Sequence, residues 1–275
     1  MVPVSPSDGR SRSRAAPMQF ADLGGRRIEY RFIPGEATAH PTLVFLHEGL
    51  GCVALWRDFP DHVAALLHAP AMIYSRFGYG GSDGLMARRT PQFMHDEALV
   101  HLPRLLDALA IDRPLLIGHS DGASIALIHA ALADRDIAGL VLMAPHVFVE
   151  DVSLASIAHI RDTYLTTDLK ERLSRYHAHV DDAFLGWADA WLDPAFRDWS
   201  IEALADHIRV PVLLIQGVND EYGTLAQIDR IAARVHGPVE RLVLQACGHS
   251  PHRDQEQAVL DAIARFVAQL TPPSR

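Results

Sequence analysis

PLLIGHSDGASIALIHAAL, residues 114–132, sets a short apolar run, a turn with a serine at its centre and a helical run end to end. Pro114–Ile117 has the length and composition of a buried strand, and the Ala, Ile and Leu residues after the turn keep helical spacing. Between them stands Gly118-His119-Ser120-Asp121-Gly122. A serine on so tight a strand-to-helix turn sits on strained backbone, and its flanks have to be small because a β-carbon there would crowd the neighbouring strand and helix. The two glycines meet that need. The string alone is only moderately specific; its place between strand and helix sets it apart from a Gly-Ser loop that merely caps a helix.

Working outward, further apolar runs rich in β-branched residues recur at Thr42–Leu46, Ala71–Tyr74, Gly139–Met143, Val212–Ile215 and Arg241–Leu244. Helical periodicity separates them, over Val53–Leu67, Gln92–Leu109, Ser120–Leu132, Thr224–Val235 and Gln255–Leu270. Strands alternating with helices predict an α/β fold, and continuous rather than alternating apolarity predicts a mostly parallel central sheet covered by helices on both faces. Met18–Phe20 and Arg27–Phe32 flank Gly24-Gly25 and read as an antiparallel hairpin at the sheet edge. One stretch breaks the rhythm. From His146 to Trp199 no strand-like run occurs, and Leu154, Ile157, Tyr164 and Leu165 keep helical spacing, so a helical insertion is expected over 146–200. The remaining organisation is a leader at 1–17 and a core made of 18–145 and 201–275.

A serine hydroxyl is a weak nucleophile until a base accepts its proton, and the base needs a carboxylate to orient it. Two later strand ends supply such groups. Val212–Ile215 runs into Gly217-Val218-Asn219-Asp220, and Arg241–Leu244 runs into Gln245-Ala246-Cys247-Gly248-His249. Ser120, Asp220 and His249 are therefore the candidate nucleophile, acid and base; Glu221 and His252 are second choices because neither directly follows a glycine-bearing strand end. Cys52 and Cys247 fall near the same region and read as small apolar wall residues, since neither occupies the turn.

In these motifs and in the order Ser, Asp, His, the sequence resembles the α/β-hydrolase superfamily from Met18 to the last helix. The resemblance implies an oxyanion hole made by the main-chain N–H after the nucleophile, here Asp121, and by one in the loop after the strand that precedes the first helix. That loop reads His47-Glu48-Gly49-Leu50-Gly51, so Gly49 is the expected second donor and Leu50 the alternative. Glu48 departs from the family pattern, which has glycine there, and reads as a loop-stabilising carboxylate. Gly78-Tyr79-Gly80-Gly81-Ser82-Asp83 resembles the family's structural glycine-rich turn. The insertion matches the family's cap in position, and within the superfamily the chain looks most like bacterial carboxylesterases and ring-cleavage-product hydrolases. What this implies is a serine hydrolase cleaving a small ester or thioester with an apolar or aromatic acyl group; a carbon–carbon bond hydrolase of ring-cleavage products is the alternative. Trp187, Trp191, His47 and Leu50 are the candidate substrate contacts, under a roof drawn from Phe148, Tyr164, Trp187, Trp191, Phe196 and Trp199.

Bulk properties narrow the partners. At 275 residues with 49% hydrophobic content the chain can bury one substantial core. A net charge of −9 and the lack of any long basic run argue against nucleic acid. Arg10, Arg12 and Arg14 sit in a Ser/Pro/Gly-rich leader read as a disordered tail without the apolar region of a secretory signal. No stretch approaches the roughly 20 apolar residues that span a bilayer. A cytoplasmic protein acting on a small molecule is expected, with no cofactor, no metal despite its 16 histidines, no membrane partner, and homo-oligomerisation left open. The rival from another class is an NADP-binding reductase. Gly49-Leu50-Gly51-Cys52-Val53-Ala54 fits a dinucleotide fingerprint, and Ser75-Arg76 at the next strand end suits a 2′-phosphate, but this reading leaves Ser120, Asp220 and His249 unexplained. A non-catalytic small-molecule receptor on the same fold is a third reading.

Overall fold

The computed structural model describes residues 17–35 and 40–270. The leader at 1–17, Pro17 apart, lies outside the described residues. Eight strands occur in chain order: β1 (Met18–Asp22), β2 (Arg27–Ile33), β3 (Leu43–Leu46), β4 (Ala71–Tyr74), β5 (Leu115–His119), β6 (Gly139–Met143), β7 (Val212–Gly217) and β8 (Val239–Leu244). They form one sheet in the order β1-β2-β4-β3-β5-β6-β7-β8. The β1–β2 hairpin joins β4 in antiparallel fashion, and every other pairing is parallel. From β3 the chain first crosses to β4 on one side and then returns to place β5 on the other. The crevice between the C-terminal ends of β3 and β5 is thus the switch point where open α/β sheets bind ligands.

Strand residues alternate between two apolar layers, as a sheet buried on both faces requires. Val44, Leu46, Met72, Tyr74, Leu116, Leu140, Leu142 and Leu214 face α3 (Leu102–Ala108) and α4 (Asp121–Leu132). Leu43, Phe45, Ile73, Ile117, Val141, Leu213 and Ile215 face α1 (Phe59–Leu67) and α10 (Glu256–Leu270), whose Phe59, Val63, Ile263 and Phe266 complete that layer. α4 is buried from Asp121 to His129, so its sequence is apolar all round instead of striped.

Several helices differ from the sequence expectation. The run expected at Val53–Leu67 divides into a 3-10 turn at Val53–Trp56 and α1, with Arg57 at φ 54° between them and Pro60 in the first turn of α1. The run expected at Gln92–Leu109 is helical nearly throughout, but α2 (Phe93–Asp96) passes through a π turn at Glu97–His101 before α3, because Pro103 removes a backbone donor. Thr224–Val235 shortens to α8 (Ala226–Ala232). A one-turn helix, α9 (Pro251–Asp254), precedes α10 and is too short for periodicity to mark.

The insertion holds α5 (Asp151–Thr166), α6 (Leu169–Leu173) and α7 (Val180–Trp191), followed by 3-10 turns at Pro194–Phe196 and Glu202–His207. Its ends are tied together by the bridge between Phe148 and Ser200 and by the Ile201 amide donating to the Val147 carbonyl at 2.8 Å. Tyr164 stacks on Phe184 with ring centroids 3.9 Å apart, and Trp191, Phe196 and Trp199 pack on one another.

The Ser120 turn works as its glycines require. Ser120 has φ 54° and ψ −122°. A β-carbon on Gly118 would meet the Gly122 carbonyl oxygen at 2.4 Å, and one on Gly122 would meet the Leu46 carbonyl oxygen at 2.0 Å. Helix α4 therefore starts in backbone contact with the end of β3, which brings the two loops of the crevice together. Gly122→Ala is expected to lower unfolding stability by about 2–3 kcal/mol through overpacking against immobile backbone. Urea denaturation measures it, and an unchanged midpoint would mean that α4 can retreat from β3 without cost.

Candidate active site

Three strand-end loops bring Ser120, Asp220 and His249 within hydrogen-bond reach. Nε2 of His249 lies 2.9 Å from Ser120 Oγ, and its Nδ1 lies 2.8 and 2.9 Å from the two carboxylate oxygens of Asp220. An ionised carboxylate only accepts, so Nδ1 carries the proton and Nε2 is left as the acceptor for the serine hydroxyl. Asp220 has further donors: Gln216 Nε2 at 2.7 Å to Oδ2, and the amides of Tyr222 and Gly223 at 2.8 and 3.2 Å to Oδ1. Burial works against its charge, but the bond from His249 and the Tyr222 amide outweigh it and hold the carboxyl below its ordinary range.

The loops bearing Asp220 and His249 pack backbone to backbone. The Val218 and Asn219 amides donate to the Leu244 and Cys247 carbonyls at 2.9 Å each, and a β-carbon on Gly217 would meet the Cys247 carbonyl oxygen at 2.3 Å. The backbone of His249 is pinned at both ends: its N–H donates to Glu221 Oε2 at 3.1 Å, and its carbonyl accepts from His119 Nε2 at 2.7 Å. Glu221 thus holds the imidazole loop and does not contact the imidazole as an acid would. His252 is buried against Trp56, Phe59 and His119, which removes it from Ser120, and burial, reinforced by His119, pushes its pKa well down.

Across the crevice, the loop His47–Gly51 is braced from below. Arg76 donates to the His47 and Glu48 carbonyls at 2.5 and 3.0 Å, and its amide donates to His47 Nε2 at 3.1 Å. His47 Nδ1 turns to the Glu48 carbonyl at 2.7 Å. Both nitrogens of His47 are spent inside the loop, and it stands behind the cavity wall instead of contacting substrate as expected. Arg76 is spent in the same way, which leaves no guanidinium for a 2′-phosphate, and Gly49–Ala54 opens a 3-10 turn instead of a helix; both count against the dinucleotide reading. From the insertion, His177 Nε2 donates to the Leu50 carbonyl at 3.1 Å. Among the described residues the Gly49 and Leu50 amides donate to nothing, whereas that of Gly51 closes on the Glu48 carbonyl at 3.1 Å. The Asp121 amide, first in α4, has no intrahelical acceptor. Both loops thus carry main-chain donors without an acceptor, and both line the same cavity as Ser120.

These residues border a cavity of about 170 Å³, open to solvent on one side, lined by Glu48, Gly49, Leu50, His119, Ser120, Asp121, His146, Ile157, Trp187, Trp191, Tyr222, His249 and Ser250. Of the six aromatic residues expected in the roof, only Trp187 and Trp191 reach it. Tyr164 instead packs inside the insertion on Phe184, while Phe196 meets Phe93 of the core, Phe148 lies under Arg230, and Trp199 stacks on Phe196. No Lys or Arg lines the cavity. Burial, with His249 adding to it, pushes the His146 imidazole down to about 3, so it is neutral. Burial pushes the Asp121 carboxyl up, opposed by Arg76 and by the Trp191 indole N–H that donates to it at 3.2 Å. For Glu48 burial raises the pKa, but His119, Arg253 and His47 together pull it well below the carboxylate range; Arg253 lies 3.7 Å away. Cys52 and Cys247 are thiols, pushed up to about 12 and about 11 by burial, with Asp254 contributing at Cys247.

Against known families, residues 43–262 match the alpha/beta hydrolase family. The chain belongs to that family. Among solved structures, a hydrolase from Pseudomonas aeruginosa PA01 is 21% identical with a TM-score of 0.71, covering 92% of this chain and 99% of that one. A meta-cleavage product hydrolase from Pseudomonas fluorescens IP01 is 18% identical with a TM-score of 0.71, covering 92% and 98%. An esterase from Exiguobacterium antarcticum is 17% identical with a TM-score of 0.70, covering 93% and 100%. No curated protein matches the sequence. For this alpha/beta hydrolase, no helix among the described residues is long and apolar enough to cross a membrane. Nor does any group of three or more His, Cys, Asp or Glu there suit a metal ion.

Gln216, His119, His146 and Tyr222 take part in this site although the sequence does not single them out. Gln216 carries a usable signal, as the one polar side chain in the apolar run 212–217. The lowered pKa of Asp220 has a stability consequence. A carboxyl depressed by folding stabilises the native state above its ordinary pKa, and that contribution fades as pH falls through the depressed value. The stability gap between wild type and Asp220→Asn is therefore expected to narrow from pH 5 to pH 3, as followed by thermal melts. A constant gap would mean that the carboxylate is not held ionised by its partners.

Proposed function

We propose that the chain is a serine hydrolase that cleaves a small ester or thioester through an acyl-enzyme intermediate. Ser120 Oγ attacks the carbonyl carbon while His249 Nε2 takes the hydroxyl proton, and Asp220 stabilises the imidazolium that results. The tetrahedral oxyanion lies against the amides of Gly49 and Asp121, a contribution worth about 10²–10³-fold in rate per donor. His249 then passes the proton to the leaving oxygen or sulfur, and water deacylates Ser120 with the same imidazole as base. The observation that carries this reading is the unbroken hydrogen-bond chain from Asp220 through His249 to Ser120, opening on two sets of unpaired amides.

The insertion acts as a cap over residues 146–200, with Ile157, Trp187 and Trp191 as its contribution to the acyl site. A cavity of about 170 Å³ compares with one of about 150 Å³ that admits benzene, which favours a short or aromatic acyl group over a long chain. Ring-cleavage products carry a carboxylate for which this wall offers no cation, so ester or thioester hydrolysis is preferred to carbon–carbon cleavage.

Ser120→Ala is expected to abolish hydrolysis, and Asp220→Asn to reduce kcat by about 10⁴, the size seen for the corresponding change in serine proteases. Across acetyl, butyryl, benzoyl and decanoyl esters of one phenol, kcat/KM is expected to rise to butyryl or benzoyl and then fall. Ile157→Ala should move the optimum to a longer chain by enlarging the cavity. Best activity on decanoyl or polyanionic esters, unaffected by Ile157→Ala, would remove the cap from the specificity account; full activity in Ser120→Ala would remove the mechanism.

A further inference from the structure

Trp187 combines two features that its role as an apolar wall does not explain. Its indole N–H is buried and has no hydrogen-bond partner, which is costly for a donor in a dry interior. It also rests on Gly49, whose amide has no acceptor and which lines the same cavity as Ser120. A β-carbon on Gly49 would fall 2.2 Å from Nε1, 2.5 Å from Cε2 and 2.7 Å from Cδ1. A point in line with the N–H bond would stand far from the two flanking carbons, so this near-equal approach places the glycine over the indole face. The N–H itself leaves sideways and is not blocked by Gly49. The other indoles differ. Trp191 spends its N–H on Asp121, and Trp56 and Trp199, though also unpartnered, do not line the cavity.

We propose that the Trp187 indole N–H donates to the carbonyl oxygen of the substrate, as a third oxyanion donor supplied by the insertion. The proposal rests on the serine-hydrolase reading above. When the carbonyl carbon becomes tetrahedral, the negative charge on its oxygen meets Gly49, Asp121 and Trp187, and the unpaired indole gains its acceptor only then. A donor satisfied late acts on the transition state and not on ground-state binding. The arrangement also gives Gly49 a reason to be glycine that is separate from loop conformation: any side chain would displace the indole.

The test uses the full chain with ¹⁵N-labelled indoles, with Trp187→Phe identifying the resonance. On phosphonylation of Ser120 by a fluorophosphonate, which releases fluoride and places the strongly polarised phosphoryl oxygen of the adduct at the oxyanion position, the Trp187 indole proton should move downfield more than those of Trp56, Trp191 and Trp199. In steady state, Trp187→Phe should lower kcat about 100-fold with KM changed less than about threefold, and equally for acetyl and benzoyl esters. A label on Ser120 with an unmoved Trp187 resonance overturns the inference alone. So does a Trp187→Phe loss confined to KM for benzoyl esters, which would mark a wall residue. A label that lands on another residue overturns the reading of the reaction and this inference with it.

Discussion

Burying the carboxylate of Asp220 is the step on which the rest of the site depends. A charge withdrawn from water must be offset by donors, and here they come from three directions: Gln216 at the end of β7, the Tyr222 and Gly223 amides of the loop after it, and His249 from the loop after β8. Those bonds fix the imidazole in one tautomer and aim its free nitrogen at Ser120. The serine in turn stays in place only because Gly122 lets α4 touch the end of β3. Asp220, His249 and Ser120 are each set by a different strand end, and the close parallel register of the sheet converts these separate local solutions into one geometry.

The insertion is joined to this geometry at more than its ends. Asp182 accepts from the Leu85 amide at 2.8 Å, and its carbonyl accepts from Arg89 at 2.9 Å, fastening α7 to the segment after β4. His177 holds the Leu50 carbonyl, while Trp187 lies on Gly49 and Trp191 reaches Asp121. The two loops that flank Ser120 are therefore contacted by the insertion directly. The same helices line the cavity and brace the His47–Gly51 loop, so under the proposed function variation there is expected to change rate as well as selectivity.

Much of this architecture is legible in the amino-acid sequence. Two strands, Ala71–Tyr74 and Gly139–Met143, match the sequence reading residue for residue, because a strand covered on both faces is a continuous apolar run with sharp polar or glycine ends. The convergence of Ser120, Asp220 and His249 follows from the same logic of strand ends. What the sequence conceals are contacts that depend on direction. His47 opens the loop that runs to Gly51 but turns inward to Arg76, and Glu221, adjacent to Asp220, holds His249 by its backbone instead of its ring. The expected roof is overpopulated for a similar reason: aromatic content marks burial, but whether a ring faces the seam or the cavity depends on helix rotation, which Phe196 and Trp199 resolve one way and Trp187 the other. The π turn at Glu97–His101 stays hidden because helical periodicity survives a single bulge.

Trapping the covalent state tests Ser120 as the nucleophile most directly. An aryl carbamate acylates a serine nucleophile with release of the phenol and leaves a carbamoyl group that hydrolyses slowly. Mixing it with the chain and mapping the acid-quenched protein by mass spectrometry should show one equivalent of phenol released and the carbamoyl group on the peptide that contains Ser120. Release of phenol with no mass gain on the chain, or a carbamoyl group on any residue other than Ser120, would contradict that role.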